Sequence, residues 1–412
     1  MKIMRPILAA AAAIAIAAGA VPATAEETEQ PPVAPEADVE KQELDALDQP
    51  VPAAEGTATI KSLTVAPKNT ATKADQKWFK KVGGNGLEAY SVYSPSMERE
   101  IPIAVRPARD ENGVRIDDAP TLYLLNGAGG AEQDNDWLTL AGGTFYETFK
   151  DEPVNVVIPM EGAFSYYVDW QTNPGEQGYY KGKQMWSTFL AKELPGAIEG
   201  HLNANDKRAV VGFSMSATSA LLLAEHNPGM YDAVGSFSGC AATSTPLPYF
   251  YTGLTVGRGA DGMTPESIWG PVGSDYNRYN DALVNAEKLR GTDLYISTAT
   301  GLQSESDMFG TLLANNGGNP NAALAASSML TVEGGVIEGA MNACTHDLRA
   351  KLKSLNIPAH YELRTTGTHS WPGWHEDLKK SWNLVIKPAL FDDVEKKPAA
   401  DEGSANFSSA NL

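Results

Sequence analysis

Cysteine, histidine and positive charge are all scarce in this chain, and each shortage removes a class of function. Only two cysteines, Cys240 and Cys344, occur in 412 residues, and neither stands in a C-x-x-C pair or beside a histidine cluster. A structural zinc site needs such spacings, so none is read here. Lys and Arg total 32 against 51 Asp and Glu, a formal charge of −19. Nucleic-acid binding draws its affinity from a basic surface set against phosphates, so this balance excludes a nucleic-acid partner. No G-x-x-x-x-G-K-[ST] loop and no internal repeat is present. The one conspicuous apolar run is the N-terminal MKIMRPILAAAAAIAIAAGAVPATA, which is too short and too alanine-rich to anchor as a membrane span.

That run instead has the form of a secretory leader. Lys2 and Arg5 supply the positive start, an Ala/Ile stretch follows, and Ala23-Thr24-Ala25 is a small-residue cleavage site. Residues 1–25 are read as a signal peptide. No cysteine stands at the cleavage point, which argues against a lipid anchor. Export places Cys240 and Cys344 in an oxidising compartment, and a single disulfide between them is expected, with two buried thiols as the alternative. Residues 26–74 read as an acidic, proline-rich spacer that buries too little apolar surface to offset its chain entropy. Residues 393–412 read as a similar tail. The catalytic unit is expected over 75–392.

Within it, short continuous apolar runs alternate with helical stretches. PTLYLLNG (120–127), VNVVIPM (154–160), RAVVGFS (208–214), AVGSFSG (233–239), DLYISTAT (293–300) and AHYELRT (359–365) are each the length and composition of a strand buried on both faces. LEAYSVYSPSMEREIPIAVRPA precedes them as a hairpin around a Ser-Pro turn. Helices are expected around 185–202, 215–227, 336–355 and 375–390, with an insertion over 241–285. Strand–helix alternation of this kind gives an α/β fold with a mostly parallel central sheet covered by helices on both faces.

The chemistry centres on Val210-Val211-Gly212-Phe213-Ser214-Met215-Ser216. A serine between a buried strand and an amphipathic helix, with small residues two before and two after, is a nucleophile-elbow arrangement, here G-x-S-x-S rather than G-x-S-x-G. The competing reading is an ordinary serine N-cap. An attacking serine needs a base, and of six histidines His369 is chosen because it follows the last strand in THSWPGW. The orienting acid stays open between Glu305, Asp307 and Glu338. The N–H groups of Met215, at the helix start, and Ala128, in the glycine-rich LLNGAGGAEQDNDW loop, are the candidate oxyanion donors.

Taken together, LYLLNGAGG, YYVDWQ, MWSTFLAKELPGAI, VGFSMSATSALLLA and GTHSWPGWHEDL resemble the mycoloyltransferases of mycolic-acid bacteria, the antigen 85 family and its corynebacterial relatives, across most of 85–390. The resemblance implies an α/β-hydrolase fold and a serine acyl-enzyme that moves a mycoloyl group between trehalose mycolates and cell-wall glycan or protein acceptors. It implies location in the cell envelope, peripheral to the mycomembrane, with no transmembrane span, no metal and no organic cofactor. It also selects the acid, since the family's glutamate lies in an apolar-Glu-Gly step before the histidine, which Ile337-Glu338-Gly339 matches. Asn126, Trp137, Asp169 and Trp371 become candidates for lining the sugar and lipid pocket. A Cys240–Cys344 bond would brace the acid's helix against the sheet. One departure stands out. The family loop begins Asp-Gly and carries an arginine, whereas here it reads Asn126-Gly127-Ala128-Gly129, with Gly129 at the arginine position. A secreted carboxylesterase with the same triad, or a non-catalytic wall-binding protein on this fold, is the alternative.

Overall fold

In the computed structural model, residues 57–391 are described. The leader, the spacer up to residue 56 and the tail lie outside the described residues. Eleven strands are described: β1 (Thr59–Ser62), β2 (Glu88–Ser94), β3 (Arg99–Arg106), β4 (Thr121–Leu124), β5 (Asn155–Pro159), β6 (Glu176–Gln177), β7 (Tyr180–Lys181), β8 (Arg208–Phe213), β9 (Ala233–Phe237), β10 (Asp293–Thr298) and β11 (His360–Leu363). Nine of them form one sheet in the order β1-β2-β3-β5-β4-β8-β9-β10-β11, and β6 and β7 form a separate hairpin. From β5 to β11 in that order the pairing is parallel, while β1, β2, β3 and β5 pair antiparallel.

The apolar runs form central strands because each strand has helices on both faces. Along β8, Val210 enters one core while Ala209, Val211 and Phe213 enter the other, the period-two alternation of a pleated strand. Seven longer helices are α1 (Gly142–Phe149), α2 (Leu194–Leu202), α3 (Met215–His226), α4 (Pro246–Val256), α5 (Pro320–Met329), α6 (Gly335–Ser354) and α7 (Trp371–Ser381). Leucines of α2, α3 and α6 pack in the first core, and Phe145, Phe149, Trp374 and Leu378 of α1 and α7 pack in the second. The result is three layers, helix–sheet–helix.

Four expectations need correcting. The unit does not begin at 75: β1 pairs with β2, Leu63 N–H donates to the Ala89 carbonyl at 2.9 Å, and residues through 75 pack on the domain. Ile60 and Leu63 supply the apolar contacts that a purely compositional reading of the spacer overlooked. The last helix starts at Trp371, four residues before His375, with Pro372 in its first turn, a position where a missing N–H costs nothing. A helical pair over Phe309–Asn315 and α5 occupies a stretch where no helix was expected. Finally, α3 is buried from Met215 through Glu225 rather than amphipathic, because the 160–170 loop and the 241–285 insertion cover its outer side; Ser219 Oγ, for example, donates to the Tyr166 carbonyl.

Cys240 and Cys344 are joined, with their Cα atoms 4.9 Å apart and a sequence separation of 104. The bond ties α6 to the loop after β9. A cross-link closing a loop of this length stabilises by about 4–5 kcal/mol in the chain-entropy view. The Cys240→Ser/Cys344→Ser double variant should therefore melt well below the oxidised protein, and reductant should lower the melting temperature of the wild type but not of the variant. Equal melting temperatures would show that the bond adds nothing.

Candidate active site

Ser214 sits at the end of β8 with φ 57° and ψ −123°. A non-glycine residue at this backbone position is strained, at a cost of order 1–3 kcal/mol, and persists only where its surroundings enforce it. Two close approaches do so. A Cβ at Gly212 would lie 2.0 Å from the Ser216 carbonyl oxygen, so the strand passes under the first turn of α3 only as glycine. A Cβ at Gly127 would lie 2.6 Å from the Phe213 ring, so the glycine-rich loop also runs close to the turn. Ser216, where a second glycine is more usual, earns its place through its hydroxyl: Oγ accepts from Phe213 N–H at 3.1 Å and lies 3.1 Å from the Phe213 carbonyl and 3.3 Å from that of Leu125.

Three side chains converge from three distant segments. The Ser214 hydroxyl is 2.7 Å from His369 Nε2, and His369 Nδ1 is 2.7 Å from Glu338 Oε2. An ionised carboxylate only accepts, so Nδ1 carries the proton and Nε2 is left to accept from the serine. Glu338, fully buried near the start of α6, presents its other oxygen to three donors. These are the Ser238 hydroxyl at 2.8 Å, the Thr298 hydroxyl at 3.0 Å and the Ala299 N–H at 2.7 Å. Burial alone would raise the Glu338 pKa, but the hydrogen bond and charge of His369, with the Ala299 and Ser238 donors, bring it below the ordinary glutamate value.

Glu305 is exposed, and Asp307 is buried but turned to Ser304 and to the Ser370 hydroxyl, whereas Glu338 meets the imidazole. Among the other histidines, His226 stacks on Tyr279 and His360 on Tyr295. Met215 opens α3, where the first N–H groups have no intrahelical acceptor. Ala128 is half-buried, and its carbonyl accepts from Phe164 N–H at 2.7 Å.

The four pocket candidates fare differently. Asn126 is buried and bridges the Pro159 carbonyl and the Trp137 N–H. Trp137 is buried and donates Nε1–H to the Leu125 carbonyl. The Asp169 carboxylate is buried and accepts from the Thr188 hydroxyl at 2.7 Å and the Thr188 N–H at 3.1 Å. These three hold loops together from inside and do not line an open pocket; a short polar side chain among glycines and aromatics reads the same in both roles. Trp371 alone is partly exposed, with its indole N–H on Asn135 Oδ1 at 2.7 Å. Sequence reasoning missed Trp374, whose ring meets the His369 imidazole edge-to-face at 5.0 Å and packs on Phe213 at 4.6 Å. Its spacing of three from Trp371, one helical turn, was the available signal. Ser238 and Thr298 were missed as well, although both lie at C-terminal ends of neighbouring parallel strands, where α/β sites form.

With this geometry in hand, comparison with known proteins identifies the lineage. The Esterase family model matches residues 94–383. The chain belongs to the Esterase family. It is 29% identical over 337 residues to the diacylglycerol acyltransferase/mycolyltransferase Ag85A of Mycobacterium tuberculosis, an alignment covering 81% of this chain and 88% of that protein. It is 27% identical over 311 residues to the Ag85C protein of Mycobacterium leprae, covering 74% of this chain and 82% of that one. The crystal structure of Mycobacterium tuberculosis MPT51 superposes with a TM-score of 0.55 at 21% identity, over 72% of this chain and 96% of that chain. This last likeness bears on the fold and agrees with the three-layer α/β architecture. Among the described residues no helix is long and apolar enough to cross a membrane.

Two outcomes follow from the geometry. Gly212→Ala should destabilise the protein and abolish esterase activity, because backbone rather than a movable side chain blocks the new methyl group; a folded, active variant would refute the close approach. Glu338→Gln should keep the fold near neutrality while lowering kcat on an ester about 10²–10⁴-fold, since the amide cannot hold the imidazole in the right tautomer or stabilise its cation. The lowered pKa fixes the sign of the acid dependence. The carboxylate's contribution to stability is complete above the unfolded glutamate value of ~4.3 and is lost as pH falls through the lower folded value. The stability gap between wild type and Glu338→Gln should therefore close in that acidic range, as chemical denaturation at stepped pH would reveal.

Proposed function

We propose that this protein is a serine acyltransferase that moves a mycoloyl group from trehalose monomycolate to a second trehalose monomycolate, arabinogalactan or another cell-envelope acceptor. The observation that carries the reading is the unbroken line Glu338–His369–Ser214 on a chain that aligns with mycolyltransferases over most of its length. The leader-like N-terminus and the Cys240–Cys344 bond support action outside the cytoplasmic membrane.

In the first step His369 Nε2 takes the Ser214 proton as Oγ attacks the ester carbonyl carbon. The tetrahedral oxyanion is held by the N–H groups of Ala128 and Met215, the latter at the positive end of α3. Glu338 steadies the imidazolium. Collapse breaks the bond to the trehalose oxygen, which leaves with the proton from His369, and the mycoloyl group stays on Ser214. In the second step an acceptor hydroxyl gives its proton to His369 and attacks the acyl carbon, and Ser214 leaves with that proton. Membership of the Esterase family supports a second reading, in which water replaces the sugar and free acid is released.

Incubating the protein lacking residues 1–25, and its Ser214→Ala variant, with trehalose monomycolate separates the two. A mycoloyl adduct by intact mass together with trehalose dimycolate, both absent from the variant, is the expected result. Free mycolic acid alone would assign the protein to hydrolysis, and no serine-dependent product would reject this substrate.

A further inference from the structure

The stretch just before the family match has chemistry of its own. Residues 67–81 form a strap across the glycine-rich loop that follows β4, and it is built to be rigid. Asn69 Oδ1 accepts from Ala71 and Thr72 N–H, both at 3.0 Å, and Asn69 N–H donates to the Ala74 carbonyl at 2.7 Å. Gln76 is buried, donates to the Lys68 carbonyl and accepts from the indole N–H of fully buried Trp78 at 2.7 Å. A turn tied at both ends in this way holds Thr70 in one place.

What Thr70 holds is the loop. Its hydroxyl donates to Glu132, a buried carboxylate in the middle of the single turn Ala131–Gln133, four residues after Ala128. Lys181 Nζ reaches the same carboxylate at 3.0 Å from the opposite side. Further along the strap, Lys77 N–H donates to Asp134 at 2.9 Å, and Lys81 Nζ donates to the Leu138 carbonyl. From within, Asn126 and Trp137 fix the two ends of the same loop. The segment carrying the Ala128 N–H is therefore held on one outer side by Lys181 and on the other by residues that lie before residue 94, where the family match begins.

We propose that the 67–81 strap is a positioning element for acylation, acting through the Thr70–Glu132 hydrogen bond to keep the Ala128 N–H aimed at the developing oxyanion. The proposal rests on the reading of Ser214 as nucleophile and Ala128 as oxyanion donor. Thr70 touches no reacting atom. Its effect falls on the transition state, because an oxyanion donor displaced by a fraction of an ångström loses strength there while ground-state ester binding is little changed.

The test uses the protein lacking residues 1–25, as wild type, Thr70→Val, Thr70→Ser and Ser214→Ala. Valine keeps the branched shape and removes the hydroxyl, and serine restores it. Each protein is assayed for hydrolysis of a short aryl ester and for the rate of covalent labelling by a fluorophosphonate, neither of which depends on a mycolate. The expected result for Thr70→Val is a kcat and a labelling rate lowered about 10-fold, a KM within 2-fold of wild type and a closely similar melting temperature, with Thr70→Ser recovering most of the loss, in line with the rate cost of a loosened oxyanion donor. Wild-type rates in Thr70→Val, or a loss that serine does not restore, would overturn the strap proposal while leaving the triad intact. If Thr70→Val does not fold, full rates in the folded Glu132→Ala variant would overturn it equally. Wild-type protein that labels no better than Ser214→Ala would remove the nucleophile reading and the strap with it.

Discussion

One buried carboxylate organises the site. Glu338 is taken wholly out of water, and an ion so placed survives only if its oxygens are saturated with donors. Those donors come from the end of β9 (Ser238), the end of β10 (Thr298 and Ala299) and the loop after β11 (His369). Three consecutive strands of the sheet must be in register for that shell to close. The parallel pairing of β9, β10 and β11 is thus a condition for the acid to remain an anion, and the anion is what fixes the histidine tautomer. The disulfide serves the same end. It fastens α6 at Cys344, less than two turns beyond Glu338, to the loop that follows Ser238, so the acid's helix and one of its donors share a covalent tether.

Much of this was legible in the sequence, for identifiable reasons. Central parallel strands are buried on both faces, so they read as short unbroken apolar runs, and each expected run contains its strand within a few residues. Ser214 and His369 could be found from the residues because each sits at a junction that only certain residue types tolerate. Gly212 under α3 and the aromatic-rich turn after β11 are visible without coordinates. Glu338 could not be separated from Glu305 and Asp307 on residues alone. The deciding facts are long-range, since its donors lie 31 to 100 positions away. Family resemblance supplied what local pattern could not.

The misreadings share one physical origin. Asn126, Trp137 and Asp169 are polar or amphipathic residues in loops near the active edge of the sheet, and such residues serve equally well as ligand contacts or as internal ties for backbone groups. Here the loop backbone takes them. An irregular loop that passes close to a buried strand must satisfy its own N–H and C=O groups without a ladder, and Asn126 and Trp137 do this for the segment between β4 and α1. The one of the four that is partly exposed, Trp371, belongs to an aromatic group with Phe213, Trp137 and Trp374 in which each ring meets another edge-on or tilted at 4.6–5.5 Å. That group backs both the nucleophile turn and the imidazole, so the THSWPGW spacing is explained by support for His369 as much as by contact with a substrate.

The boundary of the unit carries the same lesson in the other direction. Composition assigned residues up to 74 to a spacer because acidic and proline-rich sequence dominates 26–56. Composition averages over a window, whereas a strap needs only a few well-placed groups: Ile60 and Leu63 against the cores, Asn69 to lock a turn, Trp78 to anchor it and Thr70 to reach Glu132. The glycine-rich loop has to be close to the nucleophile turn, which requires small residues, and small residues supply few contacts of their own. Stiffness must then come from outside the loop. In this chain the inner face is held by Asn126 and Trp137, one outer side by Lys181, and the other by a segment that precedes the family-defining region.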